Sequence, residues 1–163
     1  MRMRSNIFVT LDGKVSGPDG RPVELLLPGF AGAGSYGLPE FLESCEAVVM
    51  GRTTFLPALT APRWPWTQPV FVLTSSVLPE GTRADVSSAA TAAELVELME
   101  RAGVVGDVHL VGGPSTLEAF RQIDALAEIW LHVVPIILGD GRSLARPAMP
   151  SRDRHRFRRT CAR

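Results

Sequence analysis

Three short segments carry residue types suited to holding phosphate: Gly51-Arg52-Thr53-Thr54, Thr74-Ser75-Ser76 and Gly112-Gly113-Pro114-Ser115-Thr116. Gly112 and Gly113 let a backbone come close to a ligand, and a helix opening behind them offers N–H groups and the positive end of its dipole. Thr53 and Thr54 add hydroxyls at a second helix start. Arg52 is a planar, permanent cation that can grip a phosphate with two hydrogen bonds, and Ser75 and Ser76 are small donors. Together they describe a pyrophosphate plus a further phosphate, as in NADPH. Singly, each has an ordinary reading: a tight turn, a solvated arginine, a strand-end turn. Their shared placement at the ends of strands gives them weight, because ligands of open α/β sheets bind there. No GxGxxG follows the first apolar run and no GxxxxGK[ST] occurs, so neither the usual dinucleotide fingerprint nor a P-loop is supported.

The elements that must position these segments are legible as apolar runs and caps. Residues 5–11 read as a buried strand ending at Asp12-Gly13, and residues 16–37 as a long Gly- and Pro-rich loop with an apolar knot at 23–27. Leu38, Phe41, Leu42 and Cys45 have helical spacing, which predicts a helix over 38–46. Strands follow at 47–50, 70–73 and 108–111, with a short one within 82–87. A helix over 91–102 has Thr91 and Glu94 as a capping box and Gly103 beyond its end, and another spans 115–122. Residues 127–138 form a long strand broken by Pro135, with Ile129, Leu131 and Val133 as its core face. Strands alternating with helices predict an α/β fold with a mostly parallel central sheet flanked by helices.

Length and composition fit one domain of 163 residues, 45% hydrophobic and 21% charged. No apolar run is long enough for a membrane helix and no secretory signal is recognisable, so a cytoplasmic protein is expected. Cys45 and Cys161 are too few for a disulfide scaffold, and Cys45 reads as a buried reduced thiol. The zero net charge hides an asymmetry. Residues 1–141 hold nine Lys and Arg against sixteen Asp and Glu, whereas residues 142–163 hold eight Arg against one Asp. Lys14 is the sole lysine among the 17 basic residues. His109, His132 and His155 lack metal-ligand spacing; His109 and His132 fall in strands and read as hydrogen-bonded core or face residues. Trp64 and Trp66 either cover a bound adenine or pack their loop.

The segments VTLDGKV, VVMGRTTF, VLTSS, LVGGPSTLEAF and EIWLHVVPIILGDGRSL occur in the order found in the dihydrofolate reductase-like superfamily. The chain most resembles its branch holding the reductase domain of riboflavin biosynthesis, over about residues 5–146. The resemblance implies a three-layer fold and a reductase-like domain over 1–146, whereas the Arg-rich segment over 147–163, which supplies one strand or stays disordered, gives a shortened C-terminal end that departs from the family pattern. It implies NADPH-dependent hydride transfer to a small heterocyclic, pyrimidine- or pterin-like, or imine substrate. By it, Gly51, Arg52, Thr53 and Thr54 hold cofactor phosphates, Thr74, Ser75 and Ser76 lie near the adenosine and its 2′-phosphate, and Gly112, Gly113, Pro114, Ser115 and Thr116 wrap the pyrophosphate. The segment of Thr10, Asp12 and Lys14 would line the substrate pocket, and a homodimer is expected.

Two readings stay open for Lys14, a cation on the substrate or a strand-end lysine in solvent, and for Asp12, a substrate contact or a turn with Gly13. Hydride transfer to C=N also needs a proton, best given by an acid of tuned pKa. Counting back from Gly51 to the place of the acid in true dihydrofolate reductases lands near Ser35. The candidates left for catalysis are Asp12, Lys14 and Glu40, with Glu43 and Glu46 on the same predicted helix and an exposed face as their default home. The alternatives are a non-catalytic nucleotide-binding member of the fold, or a nucleic-acid binder acting through the Arg-rich tail. The tail is short and Phe157 is the one Phe, Trp or Tyr within it, weak support that leaves nucleic acid not the expected partner.

Overall fold

The computed structural model describes residues 1–27, 30 and 36–145 and the backbone of 156–161. Parts of the 16–37 loop, Ser35, His155 and most of the 147–163 segment lie outside the described residues. The elements run β1 (Arg2–Thr10), β2 (Lys14–Ser16), a 3-10 turn (Val23–Leu26), α1 (Leu38–Glu43), β3 (Cys45–Gly51), α2 (Arg52–Leu59), β4 (Val70–Leu73), β5 (Val86–Ala89), α3 (Ala92–Arg101), β6 (Asp107–Gly112), α4 (Pro114–Gln122), β7 (Leu126–Val134), β8 (Arg142–Ser143) and β9 (Arg156–Cys161). The chain divides into two compact units, Met1–Arg4 with Ser44–Ala127 and Ser5–Glu43 with Glu128–Arg163.

In the first unit the strands lie in the order β5-β4-β3-β6, followed by the first residues of β1, every pair parallel. Ala47–Met50 is wholly buried, which is why this stretch of β3 reads as an unbroken apolar run: both faces of a parallel sheet are covered. Val48, Met50, Phe55, Val70, Val72 and Val86 form one core cluster, and Trp64 and Trp66 pack against it. The tryptophans therefore pack their loop, Trp64 edge-on to Phe55 at 6.3 Å with the Arg83 guanidinium over its ring.

Helix α3 carries the expected capping box, with Thr91 Oγ1 accepting from the Glu94 N–H and the Glu94 carboxylate accepting from the Thr91 N–H. α4 begins with Pro114 in its first turn, where a missing N–H costs nothing. β1 starts earlier than its apolar pattern suggests. The Arg2 guanidinium forks onto Asp107 at 2.7 Å and Arg4 reaches the same carboxylate at 2.8 Å. Arg2 first, then Arg4, holds the Asp107 carboxyl below its usual range. The helix expected over 38–46 stops at Glu43, because Cys45 and Ala47 are drawn into the ladder beside Asp107 and Val108 of β6.

In the second unit the order is β1-β7-β9, with β7 and β9 parallel from Glu128 opposite Arg156 to Val133 opposite Cys161. β2 and β8 form a separate antiparallel ladder, too short to show a period in sequence. β7 ends at Val134, before Pro135. Phe8, Val23 and Val134 make the core, with Leu27, Phe30, Tyr36, Ile136 and Leu138 packed on it. The face of β7 expected in the core is reversed. Ile129, Leu131 and Val133 are half-buried, while His132 and Val134 on the other face are buried, because that face meets Phe8. The fold is thus α/β with a mostly parallel sheet and flanking helices. Among the described residues no helix is long and apolar enough to cross a membrane.

Candidate functional site

The ladders of the first unit bring the three phosphate-suited segments together. Gly51 stands opposite Leu73, and Met50 opposite Gly112. β4, β3 and β6 therefore end level with one another, and the residues that follow them leave the sheet side by side. α2 starts directly from Gly51 and α4 from Gly113, and neither helix has a side-chain hydrogen bond capping its start. No cap side chain thus competes with an incoming anion for the first-turn N–H groups.

The segments also touch. Thr54 Oγ1 donates to the Gly112 carbonyl at 3.5 Å. A Cβ on Gly51 would lie 2.5 Å from Thr116 Oγ1, so the close approach of β3 to α4 requires glycine there. Gly112 has φ +109°, a conformation that L side chains rarely adopt. Arg52 Nη1 donates to the Val77 carbonyl at 3.0 Å, which carries the guanidinium to the turn after β4. In that turn Thr74 Oγ1 accepts from the Ser76 N–H at 3.1 Å and the Thr74 N–H donates to Ala89. Thr74 thus holds the turn, while Ser75 and Ser76 are exposed, as are Thr53 and Ser115. Thr116 is buried against Gly51 and is a packing residue more than an open donor. Two uncapped helix starts, an arginine and exposed hydroxyls fit a dinucleotide carrying an extra phosphate.

The second unit holds Thr10, Asp12, Lys14 and Glu40. The Gly13 N–H donates to the Thr10 carbonyl at 2.9 Å, closing the turn. Thr10 Oγ1 donates to Asp12 Oδ1 at 2.6 Å and accepts from the Lys14 N–H at 2.9 Å. Asp12 also accepts from the backbone N–H groups of Leu138 at 3.2 Å and Gly139 at 2.8 Å. The Thr10 hydroxyl first, then these N–H groups, lowers the Asp12 carboxyl to about 2. Asp12 is therefore an ionised clip between two turns, in keeping with its reading as a turn residue. Lys14 Nζ donates to Ser143 Oγ at 3.2 Å, across the β2–β8 ladder. Glu40 is exposed in the first turn of α1, where a carboxylate complements the helix start.

Other titratable groups lie outside these segments. Glu24, hidden in the apolar knot at 23–27, has its carboxyl pushed up by burial, the shift a proton donor needs. It adjoins Val23, which packs with Phe8 and Val134. Glu46 accepts from the Val105 and Gly106 N–H groups, which lower its carboxyl, so it pins a turn. Burial lowers His109 to about 4 and keeps it neutral. His132, expected to be hydrogen-bonded, is buried with no hydrogen-bond partner among the described residues.

The family model of the RibD C-terminal domain matches residues 2–161, a span that takes in the Arg-rich segment. The uncharacterized protein YwjB of Bacillus subtilis strain 168 is 28% identical over 148 residues, covering 83% of this chain and 77% of that protein. Among solved structures, a proposed riboflavin biosynthesis protein from Shewanella sp. PV-4 is 25% identical with a TM-score of 0.74, over 88% of this chain and 82% of that one. RibD of Acinetobacter baumannii is 16% identical with a TM-score of 0.66, over 93% of this chain and 51% of that one. A Thermotoga maritima diaminohydroxyphosphoribosylaminopyrimidine deaminase/5-amino-6-(5-phosphoribosylamino)uracil reductase is 17% identical with a TM-score of 0.63, over 91% of this chain and 50% of that one. The last two share the fold, and this chain spans about half their length.

Proposed function

This chain belongs to the RibD C-terminal domain family, and from that premise we propose that it is an NADPH-dependent reductase acting on a small heterocyclic, pyrimidine- or pterin-like, or imine substrate. The observation that carries the proposal is the level ending of β4, β3 and β6, with Gly51 opposite Leu73 and Met50 opposite Gly112. In this reading the starts of α2 and α4 bind the pyrophosphate through their N–H groups. Arg52, held at the Val77 carbonyl, binds the 2′-phosphate together with Ser75 and Ser76. When bound, NADPH supplies the hydride from its nicotinamide C4. Lys14 and the turn fixed by Asp12 orient the substrate.

The family resemblance also carries the proposal of a homodimer, read by light scattering. The buried thiol of Cys45 fits a reducing, cytoplasmic setting. The activity is tested by following NADPH oxidation at 340 nm across a panel of pterins, aminouracils and cyclic imines. Substrate-dependent oxidation by at least one class is expected. NADPH binding without oxidation of any of them would leave a nucleotide-binding protein with no reductase activity.

A further inference from the structure

In the second unit two buried polar side chains have no hydrogen-bond partner among the described residues. Asn6 is 7% exposed and His132 2%. Among the described residues, Asn6 Oδ1 and Nδ2 and both His132 ring nitrogens lack hydrogen-bond partners. Buried polar atoms are nearly always satisfied in folded proteins, so four orphaned atoms on two side chains call for a cause.

Side chains alternate along a strand, so Asn6 shares a face of β1 with Phe8. The Phe8 ring stacks on the His132 imidazole with centroids 4.6 Å apart and planes 19° apart. Asn6 and His132 are thus on one face, beside an aromatic group: Tyr36 lies 5.7 Å from Phe8 and 6.3 Å from His132, and Phe30 lies 5.5 Å from Phe8. Burial disfavours the charged imidazole, so His132 presents one N–H and one lone pair. The Asn6 amide presents a carbonyl and an NH2. A neutral set of two donors and two acceptors suits a neutral partner with the same mixture on one edge. A primary amide pairs in two bonds with an adjacent ring N–H and C=O, as asparagine does with a base edge. Flat aromatic neighbours suit a flat ring.

We propose that Asn6 and His132 bind the donor–acceptor edge of the substrate ring, a planar lactam- or amidine-bearing heterocycle, beside Phe8 and Tyr36. This rests on the reductase reading for its choice of substrate, but on none of the residues assigned to NADPH. A site that hydrogen-bonds its ligand rejects analogues lacking those groups, and an orphaned polar pair is the same arrangement with the ligand absent.

The test uses the full chain with 5-aminouracil and pterin as probes, without NADPH. Calorimetry gives the affinity, and the Asn6 side-chain NH2 resonances report contact without any substitution. The expected result is binding of at least one probe with a shift of those resonances. Asn6→Leu and His132→Phe should each weaken that binding tenfold or more, while each raises the melting temperature by removing an orphan. NADPH affinity, titrated separately, should stay within twofold of the parent, so a failed nucleotide site and a failed ring site are told apart. Binding kept within twofold in both variants would overturn the proposal, as would unshifted Asn6 amide resonances at saturation or no binding of either probe to the parent.

Discussion

Gly51 and Thr116 stand so close that a Cβ on Gly51 would lie 2.5 Å from the Thr116 hydroxyl oxygen. The contact joins the end of β3 to the first turn of α4 and so couples two of the three phosphate-suited segments. Gly51→Ala should force that turn away, costing about 1–3 kcal/mol of stability, as overpacking does, and weakening NADPH about tenfold or more. Pairing it with Thr116→Ala removes the obstructing oxygen and should restore most of both losses. Urea unfolding and a fluorescence titration read the two effects, and a single variant that binds NADPH as the parent does would remove this contact from the site.

Arg52 is the permanent cation assigned to the 2′-phosphate, and it already reaches the turn that follows β4 through the Val77 carbonyl. Charge-assisted hydrogen bonds contribute about 1.5–3 kcal/mol. Arg52→Ala should therefore weaken NADPH by roughly 10- to 100-fold and NADH far less. Equal losses for the two nucleotides would refute the assignment.

Asp12 ties the Thr10–Lys14 turn to Leu138 and Gly139. Its folded pKa of about 2 lies below the ordinary 3.8. The clip therefore adds stability that is fully present above about pH 4 and lost as the pH falls through about 2. Carboxyl-detected NMR should show Asp12 titrating well below its ordinary 3.8. Asp12→Ala should lower the melting temperature at pH 7 and remove amide-exchange protection at Leu138 and Gly139, and protection that survives would show that the turns hold without it.

Glu24 is raised by burial, so its ionisation costs stability as the pH rises through its folded pKa. Glu24→Gln should raise the melting temperature at pH 7. If Glu24 gives the proton, the same change should lower kcat with little change in KM and abolish the fall in rate on the alkaline side. A more stable variant with an unchanged pH–rate profile would leave Glu24 with a structural part alone.

The class of fold and the strand-end placement of the phosphate-suited segments were legible in the sequence because both depend on local patterns. The wholly buried run at 47–50, the Thr91–Glu94 capping box and Gly112-Gly113 before a helix each signal their structure within a few residues. What escaped is held by partners distant in the chain. Cys45 looked helical by spacing but is claimed by β6, and Arg2 and Arg4 extend β1 only because Asp107 faces them. Asp12 could be read as a turn residue, but its two amide donors come from Leu138 and Gly139. Asn6 is a polar residue inside an apolar run, and only the packed structure shows that its amide is buried with no partner among the described residues.

The central claim is that the level ends of β4, β3 and β6 form an NADPH site, and titrating the purified chain with NADPH while following nicotinamide fluorescence tests it most directly. The account predicts saturable binding at micromolar NADPH, weaker binding of NADH, and loss of the preference in Arg52→Ala. No binding at millimolar NADPH would contradict it.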